Sequence, residues 1–411
     1  MRESVTRELT AGPLSYREEV AWNEFNTDRA TFFKRGAVLA VDLPPGLDAA
    51  DVAALLDAVC ARHAIFRTAY DTTAGRPVRH ILPTHPHTVR PAGEPDETDR
   101  DRRRHLMPDD LLRAHAAPGP HGGTTLSLRL NEMITDTWSC ARLRTEIELL
   151  GRGQDPPPLE LGYADFATEE RARSLPAASE SYWHRQLAGV AAPLAPLPDG
   201  PDPSGDVAGE RIVVFPDELT ETLRAVCRRT RTSPFMVVTA LVALAIASMG
   251  ENRDVTVSTM ASIRPAKWAD VQGNFTNLTM LRTALPARPG FDDALSAARA
   301  AVLAAMARPV PYLRLAELTG GAPPIPPVRV HYLPSRAHHY NRTLDTRPSG
   351  ASWVEEADFA EWPLDLGFAE DSRGRVAIWA SYDPRRYTHA MVERLVDTCR
   401  RLLDSQSLLP R

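Results

Sequence analysis

RLNEMITDTWSCARL, residues 129–143, joins a strand pattern to a helix pattern through a short polar stretch. The preceding segment, Thr124–Leu130, alternates apolar and polar residues as a strand does, and from Asp136 onward the apolar residues recur at helical spacing. The predicted order is strand, loop, helix. Asn131 and Glu132 then stand where the strand ends. The sequence thus places an amide and two carboxylates at one junction of elements.

The length and charge of the chain limit its architecture and its partners. At 411 residues the chain is too long for one ordinary core, which favours two domains or lobes. A hydrophobic content of 43% and a charged content of 25% are typical of a soluble globular protein. A net charge of −5 gives no reason to expect a nucleic-acid or membrane partner.

Neither an export signal nor a membrane span is indicated. The N-terminal residues contain no apolar signal region. The longest apolar run, Pro234–Met249, is shorter than the roughly 20 residues that a bilayer span needs. Ser233 as N-cap and Pro234 at the first helical position predict a buried core helix instead. We therefore predict a cytoplasmic protein.

The four cysteines predict neither a disulfide framework nor a metal site. They show no CxxC motif and no other spacing typical of metal-binding cysteines. We therefore predict that they are buried, reduced thiols. The scattered positions are Cys60, Cys140, Cys227 and Cys399.

Elements alternate in a similar order in the two halves of the chain. The first half has a strand at Gly36–Leu43 followed by a helix, and strand and helix patterns resume after a proline- and alanine-rich stretch between about Leu175 and Gly209. This order predicts an α/β fold of the two-layer α+β type, with an N-terminal lobe at 1–175 and a C-terminal lobe at 176–411. A cleft between lobes is the default place for a ligand.

Seven segments, taken in order, carry a resemblance to a known family. They are PLSYREEVAW (Pro13–Trp22), LDAADVAALLDAVCARHAIFRTAY (Leu47–Tyr70), YADFA (Tyr163–Ala167), YWHRQLAG (Tyr182–Gly189), ASIRP (Ala261–Pro265), VQGNFTNLTMLR (Val271–Arg282) and SYDPRRYTHAMVERL (Ser381–Leu395). Together they resemble the condensation domains of nonribosomal peptide synthetases, whose superfamily includes chloramphenicol acetyltransferase. The resemblance implies two acetyltransferase-like lobes in a V, with a tunnel between them and the 129–143 stretch at their junction.

The family's HHxxxDG signature is replaced here by NEMITDT. Aligning the two puts Asn131 and Glu132 at the histidines, Asp136 at the aspartate and Thr137 at the glycine. The resemblance implies that Asp136 is structural and pairs with Arg264. We predict Glu132 as a proton acceptor whose basicity burial raises, and Asn131 as a stabiliser of the developing oxyanion.

The related heterocyclization domains carry DxxxxDxxS instead, and NEMITDTWS fits that spacing with Asn131, Asp136 and Ser139. Their later threonine has no counterpart in VRVHYL, while Asp365 is a candidate for their later aspartate. The residues predicted to line the tunnel are Thr137, Trp138, Ser139, Asn274, Thr276, Asn277 and Asp365.

Three interpretations of function remain open at this point. As an acyltransferase of nonribosomal peptide or antibiotic biosynthesis, the protein would join or modify substrates carried on the phosphopantetheine of peptidyl or acyl carrier proteins, with no bound cofactor. As an interaction module, it would do no chemistry and would recruit carrier proteins or other biosynthetic enzymes. As a free-standing acyltransferase using coenzyme A, it would need a histidine base that the matched position lacks.

Overall fold

The computed structural model forms two compact units. It describes residues 10–73, 75–92, 105–190, 209–214, 217–319, 321, 326–333, 352–353, 362–371 and 373–408. The first unit comprises Met1–Ser174 and Ser262–Thr276, and the second comprises Leu175–Ala261 and Asn277–Arg411. Residues 262–276, which the sequence-based division assigned to the C-terminal lobe, therefore belong to the first unit.

The first unit combines helices with two small sheets. Its helices are α1 Tyr16–Thr27, α2 Arg29–Lys34, α3 Ala49–Arg62, α4 Pro108–Leu111, α5 Thr137–Leu150 and α6 Tyr163–Ala172. Its strands are β1 Thr10–Pro13, β2 Gly36–Leu43, β3 Thr68–Thr73, β4 Arg76–Ile81, β5 Val89–Pro91, β6 Leu112–Pro118 and β7 Thr124–Asn131. Among the described residues the sheet orders are β1-β4-β3 and β2-β7-β6-β5. Strand β5 runs parallel to β6, whereas β4 is antiparallel to β1 and β3, and β7 is antiparallel to β2 and β6.

The predicted apolar patterns account for the core of this unit. Leu126, Leu128 and Leu130 alternate along β7 and are fully buried, because side chains two residues apart lie on one face of a strand. Helix α3 begins at the N-cap Asp48, whose side chain accepts hydrogen bonds from two backbone amides. It buries an apolar face that includes Val52. The predicted strand and helix are thus confirmed.

The second unit is built on one larger sheet. Its helices are α7 Ala177–Leu187, α8 Asp217–Thr230, α9 Pro234–Ser248, α10 Phe291–Met306, α11 Tyr312–Thr319 and α12 His389–Asp404. Its strands are β8 Gly209–Val214, β9 Asp254–Ser262, β10 Thr276–Ala284, β11 Val328–Leu333, β12 Ser352–Trp353, β13 Leu364–Glu370 and β14 Val376–Tyr382. Among the described residues the order is β10-β9-β11-β13-β14-β8-β12, with β11 parallel to both neighbours.

Helix α9 forms the centre of this unit, as the sequence predicts. Every residue from Val237 to Ala247 is buried, which is expected of a helix that is apolar on all sides. Ser233 accepts a hydrogen bond from the Met236 amide, and Pro234 occupies the first turn.

Within the described residues no single helix is long and apolar enough to cross a membrane. The bent pair α8 and α9, at 106°, passes that test jointly by length and composition alone.

The mixed helix and sheet class is confirmed, and two compact units are present. Most of the predicted proline-rich linker, residues 191–208, lies outside the described residues. The V-shaped arrangement and the tunnel stay predictions.

Replacement of Gly367 tests the packing of the larger sheet. Gly367 on β13 pairs with Trp379 on β14, and a Cβ atom at residue 367 would overlap the indole ring. We expect Gly367→Ala to lower the free energy of unfolding by about 1–3 kcal/mol, as overpacked cores do. Denaturant titration measures this change. Gly250→Ala is the control, because a Cβ there meets no atom within 4 Å. Equal stability of both variants would contradict the close approach.

Candidate functional site

The 129–143 stretch has the predicted order of elements. Strand β7 ends at Asn131, and helix α5 begins at Thr137. Asp136 is the N-cap of α5, and its Oδ1 accepts a hydrogen bond of 2.7 Å from the Ser139 amide. A short carboxylate at this position satisfies one of the amides that the first helical turn leaves without a partner.

Asp136 also forms a buried ion pair with Arg264. Arg264 Nη2 lies 3.1 Å from both carboxylate oxygens, and the two side chains are only 5% and 3% exposed. The Phe275 amide donates a further hydrogen bond of 2.9 Å to Oδ2. Burial lowers the pKa of Arg264, and the charge of Asp136 counters this effect. Two charges are thus kept out of water because each supplies the partner that the other needs.

The same network joins helix α5 to residues 262–276. Ser139 Oγ donates to the Gly273 carbonyl oxygen at 2.6 Å and accepts from Arg264 Nη2, also at 2.6 Å. Trp138 Nε1 donates to the Ala269 carbonyl oxygen at 2.9 Å, although the Trp138 side chain is 52% exposed. Both predicted lining residues therefore attach the helix to this segment.

The side-chain amide of Asn131 is occupied by backbone groups. Its Nδ2 donates to the carbonyl oxygens of Phe32 and Arg35, at 2.8 and 3.2 Å. Its Oδ1 accepts a hydrogen bond of 2.8 Å from the Met133 amide. Asn131 is also buried. Stabilisation of an oxyanion by this amide would require at least one of the two backbone bonds to break.

Glu132 is held by arginines. Its Oε1 lies 2.9 Å from Arg17 Nη2 and 3.3 Å from Arg35 Nη1, and its side chain is 21% exposed. Its carbonyl oxygen accepts a hydrogen bond of 2.6 Å from Asn274 Nδ2. Glu132 is thus a partly exposed carboxylate whose charge two arginines compensate, whereas the sequence-based hypothesis was a base whose pKa desolvation raises.

The other predicted lining residues are divided between the two units. Thr137 is half-buried in the first turn of α5. Asn274 Oδ1 accepts hydrogen bonds from the amide and hydroxyl of Thr276. In the second unit, Asn277 Nδ2 donates to the Val310 carbonyl oxygen at 2.8 Å. Their position along a tunnel stays a prediction.

Asp365 belongs to a polar cluster within the second unit. It lies on β13, is 3% exposed, and accepts hydrogen bonds from Arg329 Nε at 3.1 Å and Nη2 at 2.6 Å. His331 Nε2 lies 2.6 Å from Asp365 Oδ1. The imidazole of His331 stacks on the Trp379 ring, with 5.4 Å between centroids and 4° between planes. These contacts fix the orientation of His331.

The electrostatics of this cluster favour an ionised aspartate. Burial acts to raise the pKa of Asp365, but the charges of His331 and Arg329 outweigh it and hold the pKa well below its usual value. Among the described residues nothing hydrogen-bonds to Nδ1 of His331, and the side chain is 15% exposed. In its neutral form, an imidazole that has a carboxylate at one nitrogen and the other nitrogen available can accept a proton, and the imidazolium it becomes carries the charge that lowers the pKa of Asp365.

Sequence reasoning missed four polar partners of these residues. Arg17 and Arg35 are 115 and 97 residues away from Glu132, and no local pattern connects them to it. Arg329 and His331 did leave a signal. They alternate in VRVHYL, which places two polar side chains on one face of an apolar strand.

Removal of the Asp136 carboxylate is expected to harm folding. Asp136→Ala leaves the buried Arg264 without its ionic partner, which costs on the order of 3–5 kcal/mol. Thermal unfolding measures the loss as a lower Tm. Asp270→Ala is the matched control, because Asp270 and Arg142 form an exposed pair in the same unit whose removal costs about 0–1 kcal/mol. A wild-type Tm for Asp136→Ala would show that the pair is not needed for stability.

Comparison with known proteins gives relatives among peptide synthetases. Phosphinothricin tripeptide synthetase PhsC of Streptomyces viridochromogenes is 27% identical over 339 residues, which is 74% of this chain and 30% of that protein. A linear gramicidin synthase of Brevibacillus parabrevis is 28% identical over 299 residues, which is 66% of this chain and 6% of that protein. The chain spans less than a third of the length of these relatives.

Solved structures share the fold. The condensation domain of the monacolin K polyketide synthase MokA matches with a TM-score of 0.74 and 18% identity, covering 98% of this chain and 99% of that one. The X-domain from teicoplanin biosynthesis matches with a TM-score of 0.72 and 21% identity, covering 98% and 96%. At these identities the likeness shows the fold.

The family itself is identified by sequence. Residues 37–410 match the family described as Condensation domain, and this match extends over most of both compact units. The chain therefore belongs to the condensation domain family of nonribosomal peptide biosynthesis.

Proposed function

We propose that this chain is a condensation-type module that binds carrier-linked chains and recruits partners, and that its 129–143 stretch maintains structure rather than transferring protons. One observation carries the proposal. The polar side chains at the aligned signature positions Asn131, Glu132 and Asp136 are all engaged with other groups of the protein.

The contacts of Glu132 argue against a role as general base. A proton arriving at Oε1 would displace hydrogen bonds from Arg17 and Arg35, and it would remove the negative charge that both guanidinium groups compensate. A general base also has to be within hydrogen-bond reach of its substrate. Both arginines contact Oε1, and a proton taken up at either carboxylate oxygen would remove the charge that pairs with them.

Carrier proteins are the natural partners of such a module. Condensation domains work with carrier-protein domains in peptide synthetases, and we infer that this chain receives its ligands as thioesters on phosphopantetheine. Recruitment of other enzymes is the second part of the proposal. The teicoplanin X-domain, which shares this fold, was solved in complex with OxyB.

Glu132→Gln tests this function. We expect the substitution to leave the affinity for phosphopantetheinylated carrier domains unchanged, because it removes a charge from an internal ion pair and not from a ligand contact. Affinity is measured by calorimetry over a panel of aminoacyl-loaded carriers, and product by mass spectrometry. Glu160→Gln is the control for the loss of one negative charge, since Glu160 is exposed in the same unit. Product that falls roughly 10²–10⁴-fold in Glu132→Gln alone would establish Glu132 as the base.

A second function, amide formation, is favoured by the cluster around His331. An amine attacking a thioester carbonyl would form the C–N bond and give its proton to His331 Nδ1. The C–S bond would then break, and the leaving thiolate would take that proton to become a thiol. Asp365 would stabilise the imidazolium through the contact at Nε2. The chemistry requires no metal and balances without a further reactant.

His331→Asn separates the two functions. If the second unit carries the chemistry, product from two loaded carriers should fall roughly 10²–10⁴-fold while carrier affinity is unchanged. His184→Asn is the control, because His184 is exposed in the same unit. Product that is equal in wild type and His331→Asn would exclude His331 as the base. Carrier binding without product in any variant supports the recruiting role.

A further inference from the structure

Three side chains with metal-binding chemistry converge in the first unit, and neither proposed function uses them. Cys60 lies on helix α3, whereas His85 and His87 lie in the connection between β4 and β5. Cys60 Sγ and one ring nitrogen of each histidine all lie within 4.8 Å of one another. The imidazole rings are stacked, with 5.3 Å between centroids. Residues about 25 apart in sequence are thus brought to one point.

The polar contacts of His85 and His87 indicate which ring nitrogens can bind a ligand. His87 Nε2 lies 2.7 Å from the Phe66 carbonyl oxygen, and His85 Nε2 lies 3.1 Å from Asp57 Oδ1. Both partners are acceptors, so each Nε2 carries the proton and each Nδ1 of the neutral rings carries a lone pair. Burial lowers the pKa of His87, which favours its neutral form.

Both Nδ1 atoms are buried without a hydrogen-bond partner among the described residues. The carbonyl of Leu112, which also interacts with the His87 ring, is an acceptor and cannot serve a lone pair. A buried acceptor that finds no donor costs stability, and native structures rarely keep two side by side. The two unpaired Nδ1 atoms therefore indicate a ligand that accepts their lone pairs and that the polypeptide does not supply.

Cys60 would complete such a site. Its side chain is fully buried, and burial raises the pKa of its thiol to about 12, so the metal-free protein holds a protonated thiol. A bound cation stabilises the thiolate directly, and binding then releases the thiol proton.

We propose that Cys60, His85 and His87 bind a zinc ion. One thiolate and two neutral imidazoles form a donor set that suits zinc and does not suit magnesium or calcium. Ligand atoms around tetrahedral zinc are about 3.6 Å apart, given bond lengths of about 2.1–2.3 Å, so a separation of at most 4.8 Å needs a contraction of only about 1 Å. The chain supplies three donors, so a water molecule would have to complete four-coordination.

The outer contacts match this assignment. Metal-bound imidazoles usually donate their second N–H to a carboxylate or a backbone carbonyl, and Asp57 and Phe66 provide one of each. Bound zinc would fasten helix α3 to the connection between β4 and β5. Since it binds the folded protein, zinc would also raise the Tm of the first unit.

The test is a titration of the full chain, purified without a histidine tag and stripped with a chelator. Co²⁺ replaces zinc and reports its ligands by absorption. We expect saturation at one Co²⁺ per chain, with a thiolate charge-transfer band and the strong visible bands of four-coordinate Co²⁺, both abolished by Zn²⁺. Calorimetry of Zn²⁺ binding in two buffers of different ionisation enthalpy should show release of about one proton.

Variants identify the ligands. Cys60→Ser should lose the thiolate band, and His85→Gln should weaken Zn²⁺ binding while keeping that band. Asp57→Asn should weaken binding roughly 10–100-fold, as the loss of an outer-shell partner does. Cys227→Ser and His121→Asn are the controls. Cys227 lies in the second unit, and the exposed His121 has φ 56°, which asparagine tolerates.

The proposal is overturned if wild type shows only six-coordinate Co²⁺ without a thiolate band, or if Cys60→Ser binds Zn²⁺ as tightly as wild type. Should Cys60→Ser fail to fold, the proton count on wild type and the His85→Gln titration still decide, because neither requires the serine variant. Wild-type affinity in His85→Gln would equally exclude this site.

Discussion

The buried charge of Asp136 is the constraint around which the first unit is organised. A carboxylate at 3% exposure needs a cation and several donors, and it obtains the cation from Arg264, 128 residues later in the chain. The same carboxylate caps helix α5 and accepts from the Phe275 amide. One side chain therefore sets where the helix begins and fixes the place of residues 262–276 in this unit.

Around this ion pair, the polar residues aligned with the family signature and its neighbours hydrogen-bond to other parts of the first unit. Ser139 links α5 to Gly273, Asn131 links the end of β7 to Phe32 and Arg35, and the Glu132 backbone binds Asn274. Each bond satisfies a group that would otherwise be costly to bury. These groups are committed to one another, and this is the observation on which the proposed structural role of the 129–143 stretch rests.

The sequence predicted what local patterns determine. Alternation in Thr124–Leu130, the buried run of α9 and the cap at Ser233 are local, and they matched the structure. The pairing of Asp136 with Arg264 came from the resemblance, because charge alone does not select one arginine among many. The arginines around Glu132 and the meeting of Cys60 with His85 depend on tertiary packing, which brings together residues that no periodicity relates.

Three histidines share the same contact at Nε2 but differ in how deeply their Nδ1 atoms are buried. In His331, His85 and His87 an acceptor lies against Nε2 and leaves Nδ1 as the reactive atom. The Nδ1 of His331 belongs to a side chain that is 15% exposed, so a polar ligand could exchange a proton with it.

The Nδ1 atoms of His85 and His87 are buried beside the Cys60 thiol, whose pKa is raised. A proton there would leave a charge with no water to solvate it, whereas a cation that converts the thiol to thiolate brings its own compensation. In the two proposals, the same contact at Nε2 thus serves a base in one unit and a pair of metal ligands in the other.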